Sequence, residues 1–277
     1  MPEGPEVKRD AARLDKVLSG HVAEQIQFGL PELQGPETEL TGRTIGEVAA
    51  RGKALLLHFE GGLSVYTHNQ LYGRWFIKAA GERPKTGRQL RFRVETSTHA
   101  ALLYSASEIE VWPTDQLDEQ PYLARLGPDP LNGEVSVAEL ADYMATDPYR
   151  GRQLAGSLLD QGFVAGVGNY LRSDILFYAA IHPRARPKDL TPEQLHQLAD
   201  SCIRIMRRAY RTRGVTNDAE RVETLKAEGV RRRDYRHLAY GRDGEECYRC
   251  GETMVREDLG SRAIFFCPAC QVGGRNS

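Results

Sequence analysis

The sequence predicts an α+β fold: an N-terminal β-sandwich with a leading helix, then a C-terminal helical domain with a helix, two turns, helix motif and a four-cysteine ribbon hairpin. Three observations carry that prediction. The first half contains short strand-like segments with no helix between them. The second half repeats apolar residues at helical spacing. Four of the five cysteines stand in two Cys-x-x-Cys pairs near the C-terminus.

At roughly 150 residues per domain, 277 residues suggest about two domains. Pro5 suits the first turn of a helix, and Val7, Ala11, Leu14 and Leu18 recur on one face before Gly20 stops it. Strands are expected over 21–28, 44–50, 54–59, 63–68, 74–78, 90–95 and 101–105, each bounded by Gly, Pro or charge. Residues 115–150, with DQLDEQP, GPDP, LNGE and TDP, read as a connector bearing a short helix. RQLAGSLLDQ (152–161) and NYLRSDILFYAA (169–180) are apolar-periodic and flank the glycine-rich GFVAGVG. Asn169 stands where an N-cap belongs, so backbone N–H groups and the helix dipole there suit a phosphate; an ordinary helical hairpin is the alternative. Thr191-Pro192-Glu193-Gln194 opens a further helix with a capping box and runs to about Arg211. The resulting division is 1–130, a connector over 131–150, a helical domain over 151–240 and a cysteine unit over 241–277.

Cys247-x-x-Cys250 and Cys267-x-x-Cys270 are separated by sixteen residues, within the spacing of a four-thiolate zinc site. Each pair can aim two thiolates at one metal, and 253–258 and 262–266 (TMVRED, RAIFF) can pair as a hairpin between them. So small a unit holds no core alone, and a structural zinc ion would supply on the order of 10 kcal/mol. Two disulfides or a redox dithiol are the alternatives; the regular spacing and the lack of a secretory signal favour zinc. Cys202 lies with Leu195, Leu198, Met206 and Ala209 at helical spacing and reads as core.

Apolar residues at 40% and charged residues at 27% exclude a disordered or collagen-like chain. No apolar run approaches the roughly 18 residues of a membrane helix, and MPEGPEVKRD has no apolar signal stretch, so a cytoplasmic protein with no membrane partner is expected. A net charge of −1 argues against nucleic acid but hides a dipole. Residues 1–150 carry 16 Lys/Arg against 22 Asp/Glu, and 151–277 carry 21 against 16. Within 204–236 the ratio is 11 to 5. A solvated helix face and a nucleic-acid footprint both fit that asymmetry.

Removal of Met1 makes Pro2 a free secondary amine beside Glu3 and Glu6, at the mouth of the first helix. An α-amino group has a reference pKa of about 8, and a helix N-terminus disfavours added positive charge, so part of it is unprotonated at neutral pH. Such an amine can attack a sugar C1′ and form an iminium ion, which permits phosphate to leave by elimination. Glu3 stands where a proton donor and acceptor is needed. Taken alone, PEGPE also reads as a turn and an acidic helix start.

PEGPEVKR at the start, RGKALLLHF (51–59), LLDQGFVAGVGNYLRSDIL (158–176) and the terminal cysteine ribbon occur in an order that resembles the formamidopyrimidine-DNA glycosylase/endonuclease VIII family. The resemblance spans nearly the whole chain and implies a base excision repair DNA glycosylase with abasic-site lyase activity. HNQLYG (68–73), LLYSASEIE (102–110) and the tail of SRAIFFCPACQ (261–271) look closest to endonuclease VIII, the branch that prefers oxidised pyrimidines. It implies that Pro2 is the Schiff-base nucleophile, Glu3 the general acid/base and Lys53, at a strand start, a cation near the lesion phosphate and sugar. Asn169 and Arg262 match phosphate-binding positions, and Glu6 matches an acidic position of the motif. Gln70, Leu71 and Tyr72 match the wedge that fills the stack after the nucleotide is extruded, here on an expected hairpin tip. Damaged duplex DNA is the implied partner and one structural zinc the implied cofactor, with no small-molecule cofactor, β,δ-elimination as the lyase route and a monomeric enzyme acting on chromosomal DNA.

The segment 212–242 matches neither branch closely. The runner-up within the family is an oxidised-purine (formamidopyrimidine/8-oxoguanine) glycosylase. Outside it stand a non-catalytic zinc-ribbon DNA-binding protein, which needs no Pro2, Glu3 and Lys53 together, and a thiol oxidoreductase.

Overall fold

The computed structural model describes residues 2–260 and 262–272; Met1, Ser261 and 273–277 lie outside the described residues, as does the side chain of Glu32. The chain divides into two compact units, Met1–Arg125 and Leu126–Ser277. Among the described residues no helix is long and apolar enough to cross a membrane.

The first unit opens with α1 (Gly4–Leu18), which has Pro5 in its first turn and turns Val7, Ala11, Leu14 and Leu18 into the core. There follow β1 (Gln25–Phe28), α2 (Gln34–Leu40), β2 (Ile45–Arg51), β3 (Ala54–Phe59), β4 (Leu63–His68), β5 (Arg74–Ala79), β6 (Leu90–Glu95), β7 (His99–Tyr104) and β8 (Glu108–Pro113). They form two antiparallel sheets, β2-β3-β4-β8 and β1-β6-β7-β5. Leu55, Leu57, Val65 and Ile109 of the first sheet and Phe28, Phe92, Val94 and Leu103 of the second share one core with the apolar face of α1. The sandwich and its leading helix are therefore as expected.

Three details differ. β8 is an additional strand: EIEVWP carries two glutamates and a proline, and it is strand because it pairs with β4 from Leu63↔Pro113 to His68↔Glu108. α2 forms within PELQGPETEL because Pro36 falls in its first turn, where a missing N–H costs little. β1 is shorter than 21–28, since Val22 makes only an isolated bridge to Thr44.

The sheet order also relocates the loop 69–73. β4 pairs with β3 and β8 whereas β5 pairs with β7, so this loop crosses from one sheet to the other and is not a hairpin tip. The crossing is tight. The Gly73 N–H donates to Asn69 O at 2.7 Å, and a Cβ on Gly73 would meet that oxygen at 2.5 Å, so only glycine fits.

The second unit begins with the expected connector helix, α3 (Val137–Met144), capped by Ser136 and Glu139. Of the helix expected over 152–161 only α4 (Leu154–Ser157) forms. Asp160 ends it: its Oδ1 accepts the Gly162 N–H and its carbonyl the Phe163 N–H, an Asx-type turn. Next comes α5 (Asn169–Tyr178), whose N-cap is Gly168; Asn169 is its first helical residue and not the cap. α6 (Pro192–Arg211) has the anticipated box, with the Gln194 N–H donating to Thr191 Oγ1 at 3.3 Å and the Thr191 N–H to Gln194 Oε1 at 2.9 Å. Cys202 is buried in its core face, and burial pushes its thiol pKa up, which keeps it inert.

The segment 212–242 forms α7 (Ala219–Ala227) and α8 (Arg232–Tyr235). Asp174 of α5 fastens it at both ends. Its Oδ1 accepts the N–H groups of Ala239 and Tyr240 at 2.8 and 2.9 Å; its Oδ2 accepts the Thr216 hydroxyl at 2.5 Å and lies 3.2 Å from His237 Nδ1. The unit closes with β9 (Val255–Leu259) and β10 (Arg262–Phe266), an antiparallel hairpin from Phe266↔Val255 to Arg262↔Leu259.

Candidate active site and nucleic-acid interface

Glu3 is the N-cap of α1: its carbonyl accepts the N–H groups of Glu6 and Val7 at 3.0 and 3.1 Å. Glu6 Oε2 in turn accepts the Glu3 N–H at 3.1 Å, so Glu6 has a structural task, fixing the backbone next to Pro2. Pro2 is half-buried and Glu3 only 3% exposed. Carboxylates are rarely buried so deeply at a chain end.

Lys53 lies one step before the strand it was expected to start. Arg51 pairs with Ala54, and Gly52-Lys53 form the two-residue turn between β2 and β3; Gly52 has a φ of +60°, as the first central residue of a type II′ hairpin requires. Two bonds show which end of α1 this turn adjoins. The Gly20 N–H donates to Ile45 O and the Val48 N–H to Asp15 Oδ1, both at 2.8 Å, so moving back along α1 is moving forward along β2. About 18 Å of helix from Asp15 to Glu3, against about 10 Å of strand from Val48 to Arg51 followed by the turn, brings the helix N-terminus and the turn to the same end. Lys53 is 7% exposed, a buried cation on the side of the sandwich that carries Pro2 and Glu3.

The Lys53 N–H donates to the Tyr122 hydroxyl at 2.8 Å. Over the Tyr122 ring stands the Arg125 guanidinium at 5.4 Å, and His68 meets the same ring edge-on at 5.0 Å. Burial lowers the His68 pKa, and the charges of Lys53 and Arg125 add to that effect while Glu108 opposes it. Glu108 Oε1 accepts the Tyr66 hydroxyl at 2.8 Å; burial and this carboxylate raise the Tyr66 phenol and hold it protonated.

Glu108 leads to the wedge candidates. Its Oε2 accepts from Gln70 Nε2 at 2.9 Å, and Ser107 Oγ donates to Gln70 Oε1 at 2.7 Å. Gln70 has a φ of +47°, and its N–H donates to His68 Nδ1 at 3.2 Å. Leu71 and Tyr72 are 56% and 67% exposed, two consecutive large apolar side chains turned to solvent on a braced loop. Asn69 is buried, and neither atom of its amide has a hydrogen-bond partner among the described residues.

In the second unit the structure brings the elements of Asn169 and Arg262 together. Arg172, fully buried on α5, donates to Ala155 O at 2.9 Å, to Arg262 O at 3.0 Å and to Ala263 O at 2.8 Å. Arg262 is exposed, and Asn169 keeps Oδ1 buried with no partner among the described residues. The sulfur atoms of Cys247, Cys250, Cys267 and Cys270 all lie within 4.8 Å of one another, with 3.8 Å between Cys247 and Cys270 and 3.6 Å between Cys250 and Cys267. Tetrahedral coordination at about 2.3 Å per thiolate requires edges of about 3.8 Å, so the four fit zinc. None of the five cysteines is in a disulfide, which removes that alternative.

Tyr66, Ser107, Glu108, Tyr122 and Arg125 were not singled out from the sequence. Ser107 and Glu108 lie inside LLYSASEIE, whereas Tyr66, Tyr122 and Arg125 fall in no motif; the pairing of β8 with β4 brings Glu108 to the Tyr66 hydroxyl, and Tyr122 joins through its bond from the Lys53 N–H.

Residues 1–107 match the model of the formamidopyrimidine-DNA glycosylase N-terminal domain, and residues 126–220 that of the formamidopyrimidine-DNA glycosylase H2TH domain. The chain is 41% identical over 271 residues to the endonuclease 8 of Klebsiella pneumoniae and equally to that of Escherichia coli, covering 98% of this chain and 100% of each relative. Among solved structures it is similar to the Fpg (MutM) of Lactococcus lactis bound to abasic-site DNA, with a TM-score of 0.81 at 24% identity over 98% of this chain and 100% of that one. Matched in both domains and end to end with its relatives, the chain belongs to the formamidopyrimidine-DNA glycosylase/endonuclease VIII family.

Proposed function

We propose that this protein is a base excision repair DNA glycosylase with abasic-site lyase activity that removes oxidised pyrimidines from duplex DNA. The observation that carries the reading is the gathering of Pro2, buried Glu3 and buried Lys53 at one end of the sandwich. A protein that only bound DNA would need no such desolvated pair of charges beside its terminus. Full-length relatedness to endonuclease 8, and exposed Leu71 and Tyr72 directly after Gln70, favour pyrimidine over purine lesions.

With Met1 removed, the Pro2 nitrogen attacks C1′, the bond to the damaged base breaks, and the base leaves with the bonding electron pair and takes up a proton. Pro2 gives up its N–H proton, the C1′–O4′ bond opens with a proton taken up on O4′, and the resulting iminium ion acidifies C2′; loss of that proton expels the 3′ phosphate, and a second elimination expels the 5′ phosphate. Glu3 moves the protons, and Lys53 offsets charge on phosphate and sugar. Gln70, Leu71 and Tyr72 fill the vacated stack, while Asn169 and Arg262 grip phosphates. Cys247, Cys250, Cys267 and Cys270 hold one zinc ion, which is structural because four thiolates leave no open position.

In this reading residues 1–130 carry catalysis, 131–150 connect, 151–240 bind DNA and 241–277 form the zinc finger. The enzyme acts as a monomer on chromosomal DNA in the cytoplasm. Borohydride should trap a covalent adduct joining Pro2 to lesion-containing DNA. Lesion cleavage by protein that mass spectrometry shows to retain Met1 overturns the mechanism, because an amide nitrogen has no usable lone pair.

A further inference from the structure

We propose that Glu108 locks the side-chain amide of Gln70 in a single orientation, and that this lock sets which purine opposite the lesion the enzyme accepts. The inference rests on the reading above that Gln70 faces the base left without its partner.

The two ends of a glutamine amide have nearly the same shape, so a free glutamine can turn over and match either of two complementary base edges. Gln70 is held. Its Nε2 donates to Glu108 Oε2 at 2.9 Å and its Oε1 accepts the Ser107 hydroxyl at 2.7 Å. A carboxylate offers no proton, so turning the amide over would set oxygen against oxygen. Glu108 is itself anchored, since its other oxygen accepts the hydroxyl of fully buried Tyr66 at 2.8 Å. The backbone is fixed as well, with φ at +47° and the Gln70 N–H on His68 Nδ1.

One N–H and one lone pair of the amide remain for DNA. Adenine presents on its pairing edge an N–H donor at N6 beside an acceptor at N1; guanine presents an acceptor at O6 beside an N–H donor at N1. The two orders are reversed. A glutamine free to turn over serves both, whereas a locked one serves one and opposes the other, donor to donor and acceptor to acceptor. Discrimination thus comes from the residue behind the reader, and Glu108 is a positioning residue.

The test is single-turnover excision of dihydrouracil placed opposite dA or opposite dG in otherwise identical duplexes. It uses the zinc-loaded full chain as wild type, Glu108→Gln, Glu108→Ala and Gln70→Ala. Wild-type rates should differ between the duplexes by about tenfold. Glu108→Gln, which can meet either end of the amide, and Glu108→Ala, which meets neither, should bring the ratio toward parity by speeding the disfavoured duplex. A folding defect slows both, so the gain identifies the lock, and either variant suffices if the other fails to fold. A skewed ratio that both Glu108 variants preserve but Gln70→Ala changes overturns the lock and leaves the wedge reading standing. A ratio at parity in the wild type, or one that Gln70→Ala leaves unchanged, overturns the lock together with the reading of Gln70 on which it rests.

Discussion

Asp174, fully buried on α5, accepts the Thr216 hydroxyl at 2.5 Å and thereby ties the start of the segment 212–242 to the helix that begins with Asn169. The same carboxylate holds the far end through the Ala239 and Tyr240 N–H groups. Asp174→Ala leaves the Ala239 and Tyr240 N–H groups without their acceptor, leaves the Thr216 hydroxyl only its longer bond to Arg236 O, and is expected to cost about 3–5 kcal/mol. Urea unfolding measures that loss, and limited proteolysis should show new cleavage within 219–235, where α7 and α8 lose their tether.

Gly73→Ala is a sharper test of the sheet crossing. Its Cβ would fall 2.5 Å from Asn69 O and 2.7 Å from Asn69 Cα, backbone atoms that cannot swing aside. A cost of about 1–3 kcal/mol is expected. Excision of a paired lesion should fall more than cleavage of single-stranded abasic DNA if, as proposed, the loop fills a duplex stack.

Burial lowers the pKa values of His58, His68 and His182, so the folded chain takes up fewer protons than the unfolded one just below the free histidine value. Stability is complete above about pH 6.5 and declines as the pH falls from there toward the lowered folded values. Asp174 adds a second, more acid step. Burial alone would raise its carboxyl, but His237, Thr216 and the Tyr240 N–H outweigh burial and hold it low, so its contribution is present above about pH 4 and lost as pH falls through the folded value. Melting temperatures across this range should therefore drop in two stages; a flat profile above about pH 5 contradicts the histidine part.

Chelation tests the ribbon. Removing zinc should unfold 247–270 and weaken DNA binding more than Arg262→Ala does, since in the proposed reading the metal holds the hairpin and the arginine is one contact on it. Arg262→Ala alone should lessen the salt slope of binding by about one phosphate contact. Metal analysis should return about one zinc per chain, the stoichiometry of a four-thiolate site.

The sequence made legible whatever depends on local periodicity or fixed spacing: α1 from Val7, Ala11, Leu14 and Leu18, the capping box at Thr191, and the ribbon from its cysteines. It hid what depends on pairing partners far along the chain. β8 reads as polar until β4 covers it, and the loop at Gln70 reads as a hairpin tip because adjacency in sequence does not reveal that β4 and β5 belong to different sheets. The helix read from 152–161 is shorter in the structure for a local reason: its apolar residues face the core, but Asp160 offers the backbone a turn instead. Glu108 sits in LLYSASEIE without a chemistry of its own to mark it and Tyr122 sits in no motif; each meets the site through a neighbour, Gln70 and Lys53.

One guanidinium gives the second unit a ruler. Arg172 sits three residues beyond Asn169 and clasps the first two carbonyls of the strand that Arg262 begins. Those hydrogen bonds hold the two residues at a set separation. In the proposed reading that separation favours a phosphate backbone whose spacing matches it, so that both residues engage together.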